Sequence, residues 1–596
     1  FGKLGALWRL LPADTRVPDH SIWDHLDLAS AFAGAFAADP QGEAALLALS
    51  IGPVQGFIAA ARTTSDLWAG SHLLSRLSWE AMRPVCERLG PDAILFPRLR
   101  GIPQVDLWLR REMGLPAGLF AECDWMRDPT DANPLFSAAL PNRLVALVPA
   151  SQVRPIAEEV TAAVRGWLQG EGQTVVDRLL EEAGLKTKGA PRDESVHAYR
   201  QMREQLDGFP EVHWAAVPFS LIRPCNEAGQ TDLDVRALSA EMGPFFGAEA
   251  DHACGFLDSD AWKVLAQGTK LRTDDGKELV FFAPNPGVLY PAVYDLAERV
   301  LAAAKTVRAF DQAPQRGWRC SLTGETEWLT TDPNQLGRSY RQQTDTLWAK
   351  IAKQRPAWAK KGEHLGALPA LKRLWPSLFA EEVAKALGLE KKAAARFVVS
   401  THTMALASQL DRWLEHGGLT ADGFADAVIG ADSVALPRKL MRKHGKNPAL
   451  KDAKLIPGLL EAARDAEDDA AYEQAKRLVR RTLARGREDK EQIRLETYYA
   501  LLMMDGDHMG AILSGDEKTA IPYRESFHPQ VQRGFDERAA KQETLRRYGQ
   551  QKRPISPNRH LAISGALNDF SQTVVRHVVE EEHLGRVIYA GGDDVL

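Results

Sequence analysis

A chain of 596 residues with 45% apolar and 26% charged positions has an ordinary globular composition, and length enough for three or four domains with several cores. Its net charge of −5 excludes a global attraction to nucleic acid, so any such binding has to use local basic patches. The five cysteines (Cys86, Cys123, Cys225, Cys254 and Cys320) form no CxxC pair, which excludes a disulfide framework and reads as reduced thiols of a cytoplasmic protein.

The first residue is Phe1, so an upstream segment is expected to have been lost. No signal peptide is visible. Residues 1–42 read as a connector. The stretch "LPADTRVPDHSIWDHLDLASA" supplies turn residues and then a short amphipathic helix, with Asp19 and Ser21 as capping groups. His20, Asp24 and His25 are metal-ligating types, but a capped helix start with surface histidines accounts for them.

From Ala45 the pattern sharpens into a first palm-like domain over 43–170. "ALLALSI" reads as a buried strand, "GPVQGFIAAAR" as a tight turn into a helix and "LWAGSHLLSRLSWEAMRPVCERL" as a second helix. The apolar run 46–61 is interrupted by Gly52-Pro53 and Gln55, which suits strand, turn and helix and not a membrane span. The strand "AILFPRL" follows, then a break at Gly101-Ile102-Pro103, a further strand "VDLWLR", the strand "NRLVALVP" and a helix over 153–168. This is the strand–helix order of a ferredoxin-like palm.

Residues 171–490 read as mainly helical. Two basic runs stand out, "RKLMRKHGK" (438–446) and "KRLVRRTLARGR" (476–487). Solvated helix faces account for them, and RNA or partner binding is the functional alternative.

Residues 491–596 repeat the palm order. "TYYALLMM" (497–504) predicts an apolar strand ending in "DGDHMG". A helix over 561–582 sets Leu567, Phe570, Val574 and Val578 on one face. Gly585 then leads into the strand "RVIYA" and the hairpin "GGDD". The expected fold class is therefore α+β, with two ferredoxin-like palms separated by a helical region. The second palm stops before its last elements and is expected to be incomplete at its C-terminus.

The copies differ in their acids. The second has Asp505 and Asp507 after its first strand and Asp593-Asp594 at its hairpin; the first has Ser50-Ile51-Gly52-Pro53 and Phe96-Pro97-Arg98 there. In palm order the first strand and the hairpin strand are neighbours, so Asp505, Asp593 and Asp594 can meet at one edge and hold hard divalent cations. Gly591 and Gly592 permit a tight turn and close approach of a nucleotide. The backbone after Asp507 can cradle phosphates. Separately, each motif is weak, since DGD and GG turns are common. Together they describe a nucleotidyl transferase or nucleotide cyclase with one catalytic centre.

"IGPVQGFIAAARTTSDLWAGSHLLS", "MMDGDHMG" and "ISGALNDF…VVEEEHLGRVIYAGGDDVL" together resemble the large polymerase- or cyclase-like subunit of type III CRISPR effector complexes, closest to the Cmr (III-B) form. The resemblance implies an RNA-guided antiviral complex in which target RNA switches on conversion of ATP to cyclic oligoadenylates. It implies magnesium or manganese on Asp505, Asp593 and Asp594, phosphate-binding backbone at Asp507, His508, Met509, Gly510, Gly591 and Gly592, and a nucleotide neighbour in Ser564. The implied partners are other effector subunits, guide RNA and target RNA, with no membrane. Members often carry a zinc site built from two CxxC pairs. Here the matching stretches are "CSLTG" and "LGALPALKR", with Thr323, Gly366 and Pro369 at three ligand positions, so no zinc is expected. Many members also carry an N-terminal HD nuclease domain. No His-Asp dipeptide occurs here, so that activity is not expected of these residues.

An acceptor nucleotide is expected on the first palm, at "GPVQ" and at Ser71 in "AGS". Two rival readings remain at this level. One is a catalytically silent scaffold anchoring guide RNA and neighbouring subunits; the other is a free-standing diguanylate-cyclase-like enzyme.

Overall fold

The computed structural model describes all residues except 1, 129–132, 228–229, 248–252, 308–313, 316, 338, 340–341, 390–398, 430, 432, 466–467, 486–492, 515–517 and 593. Helix α1 (Ile22–Ala38) opens with a capping box, in which Ser21 accepts from the Asp24 amide and Asp24 accepts from the Ser21 amide. The capping expected at this start is thus present, and the helix runs for 17 residues.

Strand β1 (Ala44–Gly52) lies inside a four-stranded antiparallel sheet of order β2-β3-β1-β4, with β2 Ile94–Phe96, β3 Arg143–Pro149 and β4 Glu211–Pro218. The fourth strand comes from beyond residue 170, so this sheet draws on a longer stretch than 43–170. Leu47 faces Ala146 on one side and Ala216 on the other. Successive side chains of a strand point to opposite faces. Ala45, Leu47, Leu49 and Ile51 accordingly join one core, and Leu46 and Ala48 join a second. Both faces are dry, which is why β1 reads as a continuous apolar run.

The first core is closed by α3 (Thr64–Leu89), the long helix Val153–Glu182 and helix Ala367–Leu387. The second is closed by helix Tyr290–Thr306 and by residues of the C-terminal part, including Tyr523, Phe527, Tyr548 and Leu561. The stretch "VDLWLR", expected as a strand, lies in helix α4 (Pro103–Arg111). Pro103 sits in the first helical turn, where its missing N–H is harmless, and Val105 and Trp108 share a buried face at i, i+3.

Charged groups in the core are held by ion pairs or by backbone carbonyls. Arg373 lies between Asp66 (2.7 Å) and Glu363 (2.9 Å), all three nearly buried. Beside it, Lys372 donates to the carbonyls of Phe57 (2.6 Å), Ile58 (3.3 Å) and Ala60 (2.7 Å), which anchors the end of the short helix α2 (Gln55–Ala59). Burial lowers the pKa of Lys372 to about 8.

A third kind of buried polar group is His72 on α3, stacked on Trp68 and set against Phe379. Its Nδ1 accepts from the Trp375 indole N–H at 3.0 Å, so Nε2 carries the proton toward the Leu135 carbonyl at 3.0 Å. Burial pushes its pKa down to about 3. A histidine held neutral in the fold binds a proton only in the unfolded chain, so its contribution is complete above its unfolded pKa near 6.5 and is lost as pH falls below it. Acidification from neutrality to about pH 5 should therefore cost roughly 2 kcal/mol through His72. Thermal midpoints across that range should fall, and His72→Gln should flatten the dependence; an equally steep slope in the variant would contradict the assignment.

Candidate functional site

The C-terminal hairpin pairs Ala590–Gly591 with Asp594–Val595, in register Asp594↔Gly591 and Val595↔Ala590. Gly592 at its tip has φ +67°, a left-handed conformation that favours glycine and suits a two-residue hairpin turn. The strand expected over "RVIYA" is reduced to Ala590–Gly591. Asp593 lies outside the described residues.

The stretch "TYYALLMM" does not form the expected strand. Only Met504 pairs, by an isolated antiparallel bridge to Val595 with N–H···O bonds of 2.9 and 3.0 Å. The reason is the shortness of its partner: a two-residue hairpin arm offers no ladder to the residues before Met504. Tyr498, Leu501, Leu502 and Met503 are consequently exposed.

That single bridge is enough to join the two acidic motifs. Met504↔Val595 joins the chain positions next to Asp505 and Asp594. Were the register to continue one step past this isolated bridge, Asp505 and Asp594 would form a non-hydrogen-bonded pair with side chains on one face. Both aspartates are exposed. Like charges directly opposite are unfavourable alone, and a cation between them reverses that sign. The donor set contains only oxygen, which fits magnesium or manganese and not a soft metal.

Other expected site residues have different surroundings. Asp507 is exposed, and His508 has φ 60°, an uncommon conformation for a residue with a side chain. Its carbonyl accepts from the Ile512 amide at 2.9 Å as the short helix Met509–Ser514 begins, with Gly510 in its first turn. A Cβ on Gly591 would lie 2.6 Å from the Tyr589 hydroxyl oxygen and 3.2 Å from the Ala138 carbonyl. The open side of that glycine is thus taken by protein, whereas Gly592 has clear space around it.

Ser564 is buried and its hydroxyl accepts from the Arg98 amide at 2.8 Å, while the Asn568 side chain donates to the Arg98 carbonyl at 2.5 Å. The Arg98 guanidinium reaches Asp24 of the α1 capping box at 2.9 Å. Helix Pro557–Asp569 therefore docks on the end of β2 through three residues that sequence reasoning did not connect. Of the apolar residues expected on one face, Val574 is 49% and Val578 40% exposed, while Leu567 and Phe570 are half-buried, Phe570 against Val575, Ala590 and Val595. The docked face instead carries small and polar Ser564, Gly565, Asn568 and Ser571, because a side chain on Gly565 would meet Arg98 at 2.6 Å.

Ser71, expected to face an acceptor nucleotide, is 3% exposed and bonds the Leu67 carbonyl of its own helix at 3.2 Å. Its surroundings are packed, so it offers no open nucleotide face. The first palm does carry a cleft of about 870 Å³ near "GPVQ", lined by Pro53, Gly56, Phe57, Arg165, His213 and Lys372 among others. The degenerate zinc region keeps a compact loop with Cys320 alone of its four ligand positions: the Ser321 amide donates to the His364 carbonyl at 2.8 Å, and a Cβ on Gly366 would strike the Thr326 hydroxyl oxygen at 2.3 Å.

The first basic run is largely engaged within the molecule. Arg442 pairs with Glu581 at 2.6 Å, Arg438 reaches the same carboxylate at 3.5 Å, and Lys439 donates to the Glu582 carbonyl at 2.6 Å. Helix Arg438–Lys443 thus braces the helical stretch that leads into the hairpin. An i,i+4 pair from Arg576 to Glu580, visible in the sequence spacing, continues this brace at 3.5 Å.

Two family models match the chain: residues 46–173 match the N-terminal part of the CRISPR-associated protein Cmr2, and residues 498–596 match the second palm domain of Cas10/Cmr2. The Cmr subunit Cmr2 of Pyrococcus furiosus is 27% identical over 98% of this chain and 56% of its own length. The corresponding subunit of Saccharolobus solfataricus is 40% identical over 15% of this chain and 9% of its own. The chain thus spans about half the length of the first of these relatives. By fold it is similar to the type III-B Cmr-beta structure in the apo state, with TM-score 0.57, 17% identity and coverage of 98% of this chain and 62% of the other. It is also similar to Cmr-beta bound to cognate target RNA, with TM-score 0.61, 16% identity and coverage of 99% and 65%. The resemblance to the type III large subunit in its Cmr form holds at both ends of the chain. Among the described residues no helix is long and apolar enough to cross a membrane.

The joint at Arg98 generates a test. Ser564→Ala leaves the Arg98 amide buried without its acceptor, at a cost of about 1–3 kcal/mol. A lowered thermal midpoint is expected, whereas an unchanged midpoint with weakened ATP binding would mean that Ser564 meets nucleotide and not Arg98.

Proposed function

We propose that this chain, built on the Cmr2 plan at both ends, is the nucleotide-converting subunit of an RNA-guided antiviral type III-B effector complex, turning ATP into cyclic oligoadenylates when target RNA binds. The observation that carries the proposal is the isolated Met504–Val595 bridge, which joins the chain positions next to Asp505 and Asp594. In this reading those two carboxylates, with Asp593 beside them in sequence, hold magnesium or manganese. When bound, the metal supplies activation of a ribose hydroxyl and neutralises charge on the pyrophosphate leaving group.

The chain's own residues do the positioning. Gly592 leaves room at the hairpin tip for a triphosphate, and the left-handed turn at His508 leads directly into helix Met509–Ser514 after Asp507. The Arg98 joint and the Arg438–Glu581 brace hold the hairpin against the first palm, so the acids sit on a supported element. Two nucleotides must meet in line for a phosphodiester to form. The cleft beside "GPVQ" is the candidate on the first palm for the second nucleotide, in place of the packed Ser71. Other effector subunits, guide RNA and target RNA are the proposed partners, in keeping with the solved similar assembly bound to cognate target RNA. Zinc forms no part of the proposal, because Thr323, Gly366 and Pro369 supply no ligand atoms suited to it.

Asp505→Asn and Asp594→Asn keep side-chain volume and remove charge. Either is expected to lower product formation by the assembled complex by at least about 100-fold, the range for losing a group that stabilises transition-state charge. Thermal midpoint and RNA binding should be unchanged, since both residues are exposed. Mass identification of products from ATP, magnesium and complementary RNA is the measurement, and undiminished product from either variant would sink the assignment. A silent scaffold predicts no product from the unaltered complex.

A further inference from the structure

We infer that the groove between helix Asp469–Ala484 and residues 493–496 is a docking surface for the phosphodiester backbone of single-stranded RNA. The helix buries Ala475, Leu478, Val479, Thr482 and Leu483 against a separate helical core. Its opposite face presents Arg477, Arg480 and Arg481, all exposed, at i, i+3 and i+4. Arg494 stands across the groove, exposed, on a segment pinned to helix Thr401–Glu415. There Gln409 donates to the Arg494 carbonyl at 2.7 Å and accepts from the Glu496 amide at 2.9 Å. The space between them is about 1220 Å³, floored by Leu478 and Ile493.

The contrast with the first basic run is what points to a ligand. There, Arg438 and Arg442 are neutralised by Glu581. Here, among the described residues, no carboxylate pairs with the guanidinium of Arg477, Arg480, Arg481 or Arg494. The nearby acids pair elsewhere, Glu473 with Lys476 at 2.5 Å, though still within electrostatic reach of Arg477 and Arg480, and Asp422, at the groove's edge, with Arg485 at 3.1 Å. The described lining holds four arginines and one aspartate, a net +3 (4 − 1) on a chain whose total is −5. Gathering like charges along one groove raises the local potential and draws in a polyanion.

The chemistry favours a nucleic acid backbone over an acidic protein. Protein interfaces centre on aromatic or large apolar anchors in dry pockets, and the lining of this groove contains no aromatic side chain. Arginine forks match phosphate oxygens in pairs. Three of them spread over about 6 Å of helix at 1.5 Å per residue form a ladder that can track a chain of repeated charges. Without stacking aromatics the groove should follow the backbone and ignore base sequence. The choice of RNA over another polyanion rests on the function proposed above; the groove and its charges do not.

The test uses the full chain and a fluorescein-labelled oligouridylate, with fluorescence anisotropy measured across a salt series. Replacing Arg477, Arg480 and Arg481 together by Ala should weaken binding about tenfold or more and make the salt slope shallower by about 2, from roughly 0.7 per lost phosphate contact. These side chains are exposed, so the variant should keep its thermal midpoint. Arg154→Ala, at a distant exposed position, should leave binding unchanged. Wild-type affinity and slope in the triple variant, or no binding by the unaltered chain, would overturn the inference. Tighter binding of poly-glutamate than of the oligouridylate would do the same and assign the groove to an acidic protein. Asp594→Asn separates the two proposals, because RNA binding should survive there whatever happens to nucleotide product.

Discussion

The structure depends on a sheet that must be dry on both faces. β1 is central, and its alternating side chains feed two cores at once, Leu47 and Leu49 into one and Leu46 and Ala48 into the other. A sheet with one covered face would leave half of this apolar run in water, at about 25 cal/mol per Å² of exposed apolar surface. The second face is covered partly by residues past 520, so the C-terminal part of the chain is drawn onto the first palm by the hydrophobic demand of β1, β2 and β3.

Polar contacts then decide how that C-terminal part sits. The cluster of Arg98, Asp24, Ser564 and Asn568 links the N-terminal helix, the end of β2 and the helix before the hairpin. Each hydrogen bond is worth little net, but leaving its buried partner unpaired costs more. The joint therefore specifies orientation more than it adds stability. Glu581, held by Arg438 and Arg442, does the same from the other side. Between these two anchors the hairpin needs only one bridge, Met504 to Val595, to join the chain positions next to Asp505 and Asp594.

Charge is distributed by the same logic. Acids and bases that meet inside the molecule cancel, as at Asp66, Arg373 and Glu363. Charges of one sign gather at two surfaces: two exposed aspartates at the hairpin and four arginines along a groove. The first suits a divalent cation and the second a phosphate chain. Both are local features, invisible in a net charge of −5.

Local chemistry is what the sequence by itself determined. The α1 capping box, the buried β1 and β3 strands, the glycine turn of the hairpin and the acidic ends "DGD" and "GGDD" follow from near neighbours: side-chain period, cap residues and backbone freedom. The tertiary structure alone decided what those elements meet. "VDLWLR" became a helix because Pro103 starts one and Trp108 finds a core; "TYYALLMM" stayed unpaired because only a two-residue arm lies beside it. Ser564 and Ser71 looked like small polar nucleotide neighbours, yet one clamps Arg98 and the other is packed within α3. Helix 561–582 meets Arg98 through small residues because close approach there leaves no room for a side chain on Gly565. The two basic runs look alike in sequence, yet Glu581 faces Arg438 and Arg442 of the first while Arg477, Arg480 and Arg481 of the second line a groove. A residue's spacing tells which face it shares, and only the packed chain supplies the partner on the other side.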